Sequence, residues 1–116
     1  MEMKKIFAVI PANNEEKNIF EVIRKAKPYV DEVVLVDDGS NDKTAELASK
    51  AGAFVLHHMV NLGKGAALKT GCDYAVKKGA KYIVALDADA QHKPEDIPRF
   101  LEKLGKYGIV FSYRKT

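Results

Sequence analysis

Apolar runs of strand length alternate with helix-period stripes along this 116-residue chain, and that alternation restricts its fold more than any other feature. The runs are Ile6 to Ile10, Val33 to Val36, Ala53 to Leu56, Tyr82 to Leu86 and Ile109 to Ser112. Between the first two, Ile19, Val22, Ile23 and Ala26 recur at i, i+3, i+4 and i+7, the stripe of an amphipathic helix. A second helix is predicted from Asp42, as N-cap, to Ala51, with Gly52 as its stop. A third runs from Lys64 to Lys78, with Leu68, Cys72, Ala75 and Val76 inward and Gly79 closing it. Pro94, Glu95 and Asp96 open a fourth, with Ile97, Phe100, Leu101 and Leu104 as its buried stripe. Strands that are apolar throughout are covered on both faces. The expected fold is therefore α/β, three layers with helices on either side of a mostly parallel sheet. In such sheets ligands bind beyond the carboxyl ends of the strands, where the strand order reverses.

The loops at the two edges differ in kind. At the carboxyl edge stand Pro11-Ala12-Asn13-Asn14-Glu15-Glu16, Asp37-Asp38-Gly39-Ser40-Asn41-Asp42, Asn61-Leu62-Gly63-Lys64-Gly65 and Asp87-Ala88-Asp89-Ala90-Gln91-His92. At the other edge Lys27-Pro28-Tyr29, Lys50-Ala51-Gly52 and Lys78-Gly79-Ala80-Lys81 are plain helix stops. One edge is built for chemistry and the other for support. Asp87-Ala88-Asp89 is the sharpest signal: carboxylates at i and i+2 of an extended segment project to one side, about 6–7 Å apart. Mg²⁺ favours one or two carboxylates plus substrate phosphates over an all-protein cage. Taken alone, the same pair reads more readily as solvated turn acids. Glu15 and Glu16 also suit the start of a helix on dipole grounds, and Asp38-Gly39 makes a good turn without any ligand. Lys64 opposes the dipole at a helix start, so an anion nearby would account for it.

Several classes are excluded. A net charge of +3, with lysines spread along the chain, does not argue for nucleic acid, although a weakly basic surface suits phosphorylated ligands or anionic lipid. Gly63-Lys64-Gly65 lacks the first glycine of a P-loop and the hydroxyl that would ligate Mg²⁺, and it fails the dinucleotide fingerprint. His57 and His58 adjoin each other and project to opposite faces, so they form no metal pair. No serine sits in a G-x-S-x-G elbow. Phosphoryl-transfer proteins that carry their essential acids after the first strand fit poorly, because Asn13-Asn14-Glu15-Glu16 stands there. Cys72 is the only cysteine, which rules out an internal disulfide and suits a reducing compartment. Its place within a helix suggests a packed side chain. With apolar runs no longer than a strand and no signal peptide, the expectation is a single domain over residues 1–116, cytoplasmic, or peripheral at a membrane surface.

Val9-Ile10-Pro11-Ala12-Asn13-Asn14-Glu15-Glu16, Val36-Asp37-Asp38-Gly39-Ser40, Asn61-Leu62-Gly63-Lys64-Gly65 and Leu86-Asp87-Ala88-Asp89-Ala90-Gln91-His92 together resemble the inverting family 2 glycosyltransferases. Within that family the chain looks most similar to dolichyl-phosphate mannose synthases and related polyprenyl-phosphate sugar transferases. The resemblance covers nearly the whole chain in four ordered motifs. It implies the GT-A (Rossmann-like) fold, a nucleotide-diphosphate sugar donor of the GDP-mannose or UDP-glucose type, and Mg²⁺ or Mn²⁺. It also implies that Pro11, Ala12, Asn13 and Glu15 line the base and ribose pocket. Asp37 would accept from the base edge, Asp38 would hold the ribose or shape the turn, and Gly39 would pass beneath the nucleotide. Lys64, with Ala88 and Asp87, would lie at the donor diphosphate or sugar. Asp87, Asp89 and Gln91 would bind the metal, and Asp89, Lys64 and Arg114 would carry catalysis.

The sequence departs from the family pattern at three places: Asn13 replaces an aromatic, Ala90 replaces a glycine, and Phe111-Ser112-Tyr113-Arg114 keeps only part of a Gly-Ser-Arg segment. Family members continue for roughly a hundred residues beyond this point, so the acceptor-binding part is expected to be lacking here. Its absence would leave apolar surface suited to self-association or a partner chain. The reaction implied is inversion at the anomeric carbon of the donor, with a polyprenyl phosphate as the acceptor to consider first. A nucleotide-sugar-binding module without turnover, or one subunit of a split transferase, is the competing reading.

Overall fold

The computed structural model describes residues 6–89 and 108–111. The helix expected after Pro94, with Ile97, Phe100, Leu101 and Leu104, lies outside the described residues, as do Ala90, Gln91, His92 and Arg114. Five strands form one sheet: β1 (Ile6–Ala12), β2 (Glu32–Asp38), β3 (Phe54–His58), β4 (Tyr82–Ala85) and β5 (Gly108–Phe111). Their order is β3-β2-β1-β4-β5, and every pairing is parallel. Helices α1 (Ile19–Ala26), α2 (Thr44–Lys50) and α3 (Lys64–Lys77) link the first four strands, with a single 3-10 turn at Lys27–Tyr29. The expected α/β class and the parallel sheet are both present.

Residues along each central strand divide by parity between two cores. Ala8, Ile10 and Ala12 of β1 join Val33 and Leu35 of β2 beneath α1 and α2, where Ile19, Val22, Ile23, Ala26 and Ala48 are buried. Phe7 and Val9 join Val34 and Val36 on the other face, under Ala67 and Ala75 of α3. This division is why the strands read as continuous apolar runs: both faces are dry. The stripe expected for α1 is the one that is buried.

On α3 the inward face differs from the expectation. Ala67, Gly71 and Ala75 are buried, Leu68 and Cys72 are partly buried beside them, and Val76 is 63% exposed. The smallest residues face the sheet because the helix lies close to it. A Cβ on Gly71 would fall 2.4 Å from Val9 Cγ1 and 3.0 Å from Val36 Cγ2. The expected face is thus right at Ala75, right in part at Leu68 and Cys72, and wrong at Val76.

β3 is an edge strand whose Phe54 is 44% exposed, yet its ring stacks on Tyr74 of α3, centroids 4.7 Å apart. Among the described residues, no helix is long and apolar enough to cross a membrane.

Candidate donor-binding cleft

The connectivity itself opens a cleft. β1 pairs with β2 as far as Ala12↔Asp37, but its last pair with β4 is Val9↔Ala85. One further hydrogen bond, Leu86 N–H to the Val9 carbonyl at 3.0 Å, ends the contact. β4 therefore leaves β1 about three residues, or about 10 Å, before β2 does. At the same place the strand order reverses, because the chain goes from β1 outward through β2 and β3 and then crosses back to β4. Pro11, lacking an N–H, cannot extend the ladder toward β4.

A cavity of about 250 Å³ occupies this notch. Its β1 side is formed by Pro11, Ala12, Asn13 and Glu15, and its β4 side by Asp87, Ala88 and Asp89. Asp38, Asn61 and Lys64 complete the lining. Of the expected site residues these share one cleft, whereas Asp37 and Gly39 stand outside its lining. Gln91 and Arg114 belong to the residues outside the described set.

Many of the polar residues at this edge bind one another. Asn14, with φ of 56°, donates its N–H to Ser40 Oγ at 2.9 Å, and its Oδ1 accepts from Asn41 N–H at 2.8 Å. Glu15 N–H donates to Thr44 Oγ1 at 2.8 Å, and Asn13 Nδ2 donates to the Asp38 carbonyl at 2.7 Å. Glu16 N–H donates to Asp42 Oδ2, and Lys43 N–H donates to Glu16 Oε1. Asp42 also accepts from Thr44 N–H at 3.0 Å, so it organises the turn before α2 from two residues ahead of the helix. Burial opposes its charge, but the bonds from Thr44 and Glu16 outweigh that and hold its carboxyl below the usual value. These loops are sewn together, which sets the wall formed by Asn13 and Glu15.

Asp37 and Asp38 end β2 with separate tasks. Asp37 Oδ1 accepts from Ser40 N–H at 3.0 Å, tightening the turn, and its Oδ2 lies 3.7 Å from the exposed His57. Asp38 is 2% exposed and clamps the loop that leads into α3: Leu62 N–H donates to Oδ1 at 2.8 Å and Gly63 N–H to Oδ2 at 2.9 Å. His58 Nδ1 lies 2.8 Å from the same Oδ1, and its Nε2 lies 2.8 Å from Thr70 Oγ1 on α3. An ionised carboxylate only accepts, so the ring nitrogen facing Asp38, Nδ1, carries a proton, while Nε2 shares its hydrogen bond with the Thr70 hydroxyl. Burial pushes the Asp38 carboxyl up, but the Leu62, His58 and Gly63 bonds more than reverse it, leaving the group below the ordinary aspartate value. His58 was legible in the sequence only as a non-ligand. Its role as the strut between β2 and α3 depends on β2 and β3 being adjacent.

Gly39 follows with φ of 73°, and a Cβ there would lie 2.5 Å from Asn61 N. The loop backbone thus runs directly against the glycine. So held, the chain enters α3 with Lys64, whose Nζ reaches Asp87 Oδ1 at 2.5 Å. The Lys64 side chain is 55% exposed and that of Asp87 is 9% exposed. Further along α3, burial, with the charge of Asp73 added, pushes the Cys72 thiol up, which disfavours the thiolate.

The donor set fits a hard divalent cation. Asp87 and Asp89 offer oxygen ligands on one wall of the cleft, and phosphate and water would complete an octahedron around Mg²⁺ or Mn²⁺. Among the described residues no cluster of three His, Cys, Asp or Glu side chains could hold a metal alone. Four carboxylates and one ammonium line the cleft, so a bare diphosphate would meet net negative charge there.

The chain has relatives among known proteins. The chain is 45% identical over 98 residues to the uncharacterized protein MJ1222 of Methanocaldococcus jannaschii, covering 84% of this chain and 40% of that protein. It is 34% identical over 128 residues to an undecaprenyl-phosphate 4-deoxy-4-formamido-L-arabinose transferase of Pectobacterium atrosepticum, covering 97% of this chain and 38% of the relative. The chain thus spans about two-fifths of the length of these curated relatives. Among solved structures, glucosyl-3-phosphoglycerate synthase of Mycobacterium tuberculosis in complex with Mn²⁺, UDP and glucosyl-3-phosphoglycerate superposes with a TM-score of 0.72 at 31% identity. That match covers 87% of this chain and 39% of the synthase, and the shared architecture is the GT-A fold. The same synthase is also known with Mg²⁺ and UDP. The profile of glycosyl transferase family 2 matches residues 7–114, and the chain belongs to that family.

Proposed function

We propose that this chain is the nucleotide-sugar-binding part of a metal-dependent, inverting glycosyltransferase that passes a sugar from a nucleoside-diphosphate donor to a polyprenyl phosphate. The observation that carries the reading is the meeting of Asp87, Asp89 and Lys64 with the Pro11 to Glu15 wall in one cleft at the reversal of strand order. The family membership supports transfer of a glycosyl group. The Mn²⁺ and UDP of the mycobacterial synthase support the donor class, and the undecaprenyl-phosphate relative supports the acceptor class.

In this reading the nucleoside lies along Pro11, Ala12, Asn13 and Glu15, and its diphosphate points toward Asp87 and Asp89. Asp87 and Asp89, with Gln91 as a further ligand, would hold a divalent cation, which when bound would supply Lewis-acid stabilisation of the departing diphosphate. Lys64 adds a positive charge to the same leaving group, and the amino end of α3 beside it favours an anion. Arg114 is assigned to the diphosphate as well. Asp37 and Asp38 shape the nucleotide side indirectly, through the turn at Gly39 and the clamp on Leu62 and Gly63. A polyprenyl phosphate needs no base to remove a proton, because its attacking oxygen is already anionic. The protein then works at the aqueous surface of the membrane that holds the acceptor.

The test is calorimetric. Titration with UDP, GDP and their sugar conjugates in Mn²⁺ should show binding that a chelator weakens, and Asp89→Asn should weaken it by about tenfold or more, equivalent to about 1.4 kcal/mol. Equal affinity in chelator and Mn²⁺ for both proteins would remove the metal from the site. Binding without release of nucleoside diphosphate in the presence of a polyprenyl phosphate would favour a donor-binding module that needs a further chain segment for turnover.

A further inference from the structure

Lys64 presents its ammonium to the carboxylate that the proposed reading assigns to the metal. The two partners differ in freedom: the Asp87 side chain is 9% exposed, whereas Lys64 is 55% exposed on a long flexible stem at the first residue of α3. The stem's root is fixed, because Gly63 and Leu62 just before it donate to the buried Asp38. Lys64 can therefore swing about an anchored point without disturbing the loop. We propose that Lys64 is the resident counter-ion of Asp87 in the ligand-free protein and exchanges it for the divalent cation when the donor arrives, moving its own charge onto the diphosphate. This rests on the donor-site reading above.

The consequence is a coupling between the two ligands. Metal arriving alone must compete with the Lys64 ammonium for Asp87, and the displaced ammonium gains no new partner. Metal arriving with a diphosphate displaces the same ammonium, but phosphate oxygens now lie within its reach. Lys64 thus opposes free metal and favours the metal–diphosphate pair. It works as a positioning and selecting residue, keeping the acidic cleft compensated when empty and reserving it for the metal–diphosphate pair. Linkage requires the effect to be mutual: the nucleotide must raise metal affinity by the factor by which metal raises nucleotide affinity.

The exchange has a signature that simple support of the fold lacks, because one substitution should move two affinities in opposite directions. Mn²⁺ binding to the full chain is read from loss of the aqueous ion's paramagnetic resonance signal, without nucleotide. UDP and GDP binding is read by calorimetry in saturating Mn²⁺. Lys64→Met should bind Mn²⁺ alone more tightly, by up to about fivefold, since a half-exposed ion pair has been removed as competitor. The same variant should bind the nucleotide in Mn²⁺ about tenfold more weakly, as expected for losing a charge-assisted phosphate contact. Lys64→Arg, which keeps the charge on a different head group, should fall between wild type and Lys64→Met in both. Lys69→Met, which removes a 78% exposed lysine paired with Asp73 on the same helix, should alter neither and so separates local exchange from overall charge. Unchanged or weaker Mn²⁺ binding by Lys64→Met would overturn the exchange, even with nucleotide binding intact. If wild type takes up Mn²⁺ alone but neither UDP nor GDP, the donor-site reading fails and the exchange with it.

Discussion

Asp38 ends β2 and Asp87 stands two residues beyond β4, on the two strands that flank β1, and both are nearly excluded from solvent, at 2% and 7% exposure. Asp38 receives backbone N–H groups of Leu62 and Gly63 and the ring of the part-buried His58, all at fixed positions. Asp87 receives a half-exposed lysine and lines an open cleft. A buried carboxylate whose donors belong to the frame is a structural clamp. One whose donor can leave without breaking the frame is available to a ligand. What tells them apart is the rigidity of their partners, since their burial is nearly the same.

The comparison breaks most visibly under Asp38→Ala. That change takes the acceptor from the Leu62 and Gly63 N–H groups and from His58, in a part-buried place, and each group left unsatisfied costs about 1–3 kcal/mol. Urea unfolding should show a loss of about 3 kcal/mol or more. Asp87→Asn should leave the unfolding midpoint nearly unmoved and instead lower Mn²⁺-dependent nucleotide affinity by tenfold or more, about 1.4 kcal/mol. If the two variants exchange these behaviours, the roles assigned to the carboxylates are reversed.

Gly39→Ala tests the clamp from beneath. Its methyl would press on the Asn61 backbone at a positive φ, and a loss of about 1–3 kcal/mol is expected from strain of that kind. Thr70→Val should be milder, about 1 kcal/mol, because it removes one hydrogen bond to His58 Nε2 and leaves the bonds of Asp38 intact.

The smallest effect is in the pH dependence of unfolding. The Asp38 and Asp42 carboxyls are held below their ordinary value of 3.8 in the folded protein. The unfolded chain therefore takes up protons first as pH falls, and their contribution is complete above about pH 5 and lost on acidification through the lowered folded values. Asp42→Asn should flatten part of that acid slope while leaving neutral-pH nucleotide affinity unchanged. A slope equal to wild type would show that Asp42 is not a source of it.

Much of this was legible in the sequence. Strand-length apolar runs and the Ile19, Val22, Ile23, Ala26 stripe carried the α/β class, because period and dryness are local properties of a segment. The polar carboxyl edge was legible as an edge. Which of its residues face the cleft was not: Asn14, Glu16, Ser40, Asn41 and Asp42 look like binding residues in a string of letters, yet they hydrogen-bond to one another across two loops. The face of α3 was misjudged at Val76 because close approach, through Gly71, was invisible without the sheet beneath it.

Periodicity and turn chemistry, then, were enough for the sequence by itself to determine a layered α/β chain with acids gathered at one rim. Tertiary structure alone decided which acids are clamps and which are open to a ligand. That choice depends on donors twenty or more residues away, such as Leu62 for Asp38 and Lys64 for Asp87, brought within hydrogen-bond reach only when β1 lies between β2 and β4. Hydrogen bonds act over a few ångströms of space, and distance along the chain does not encode them.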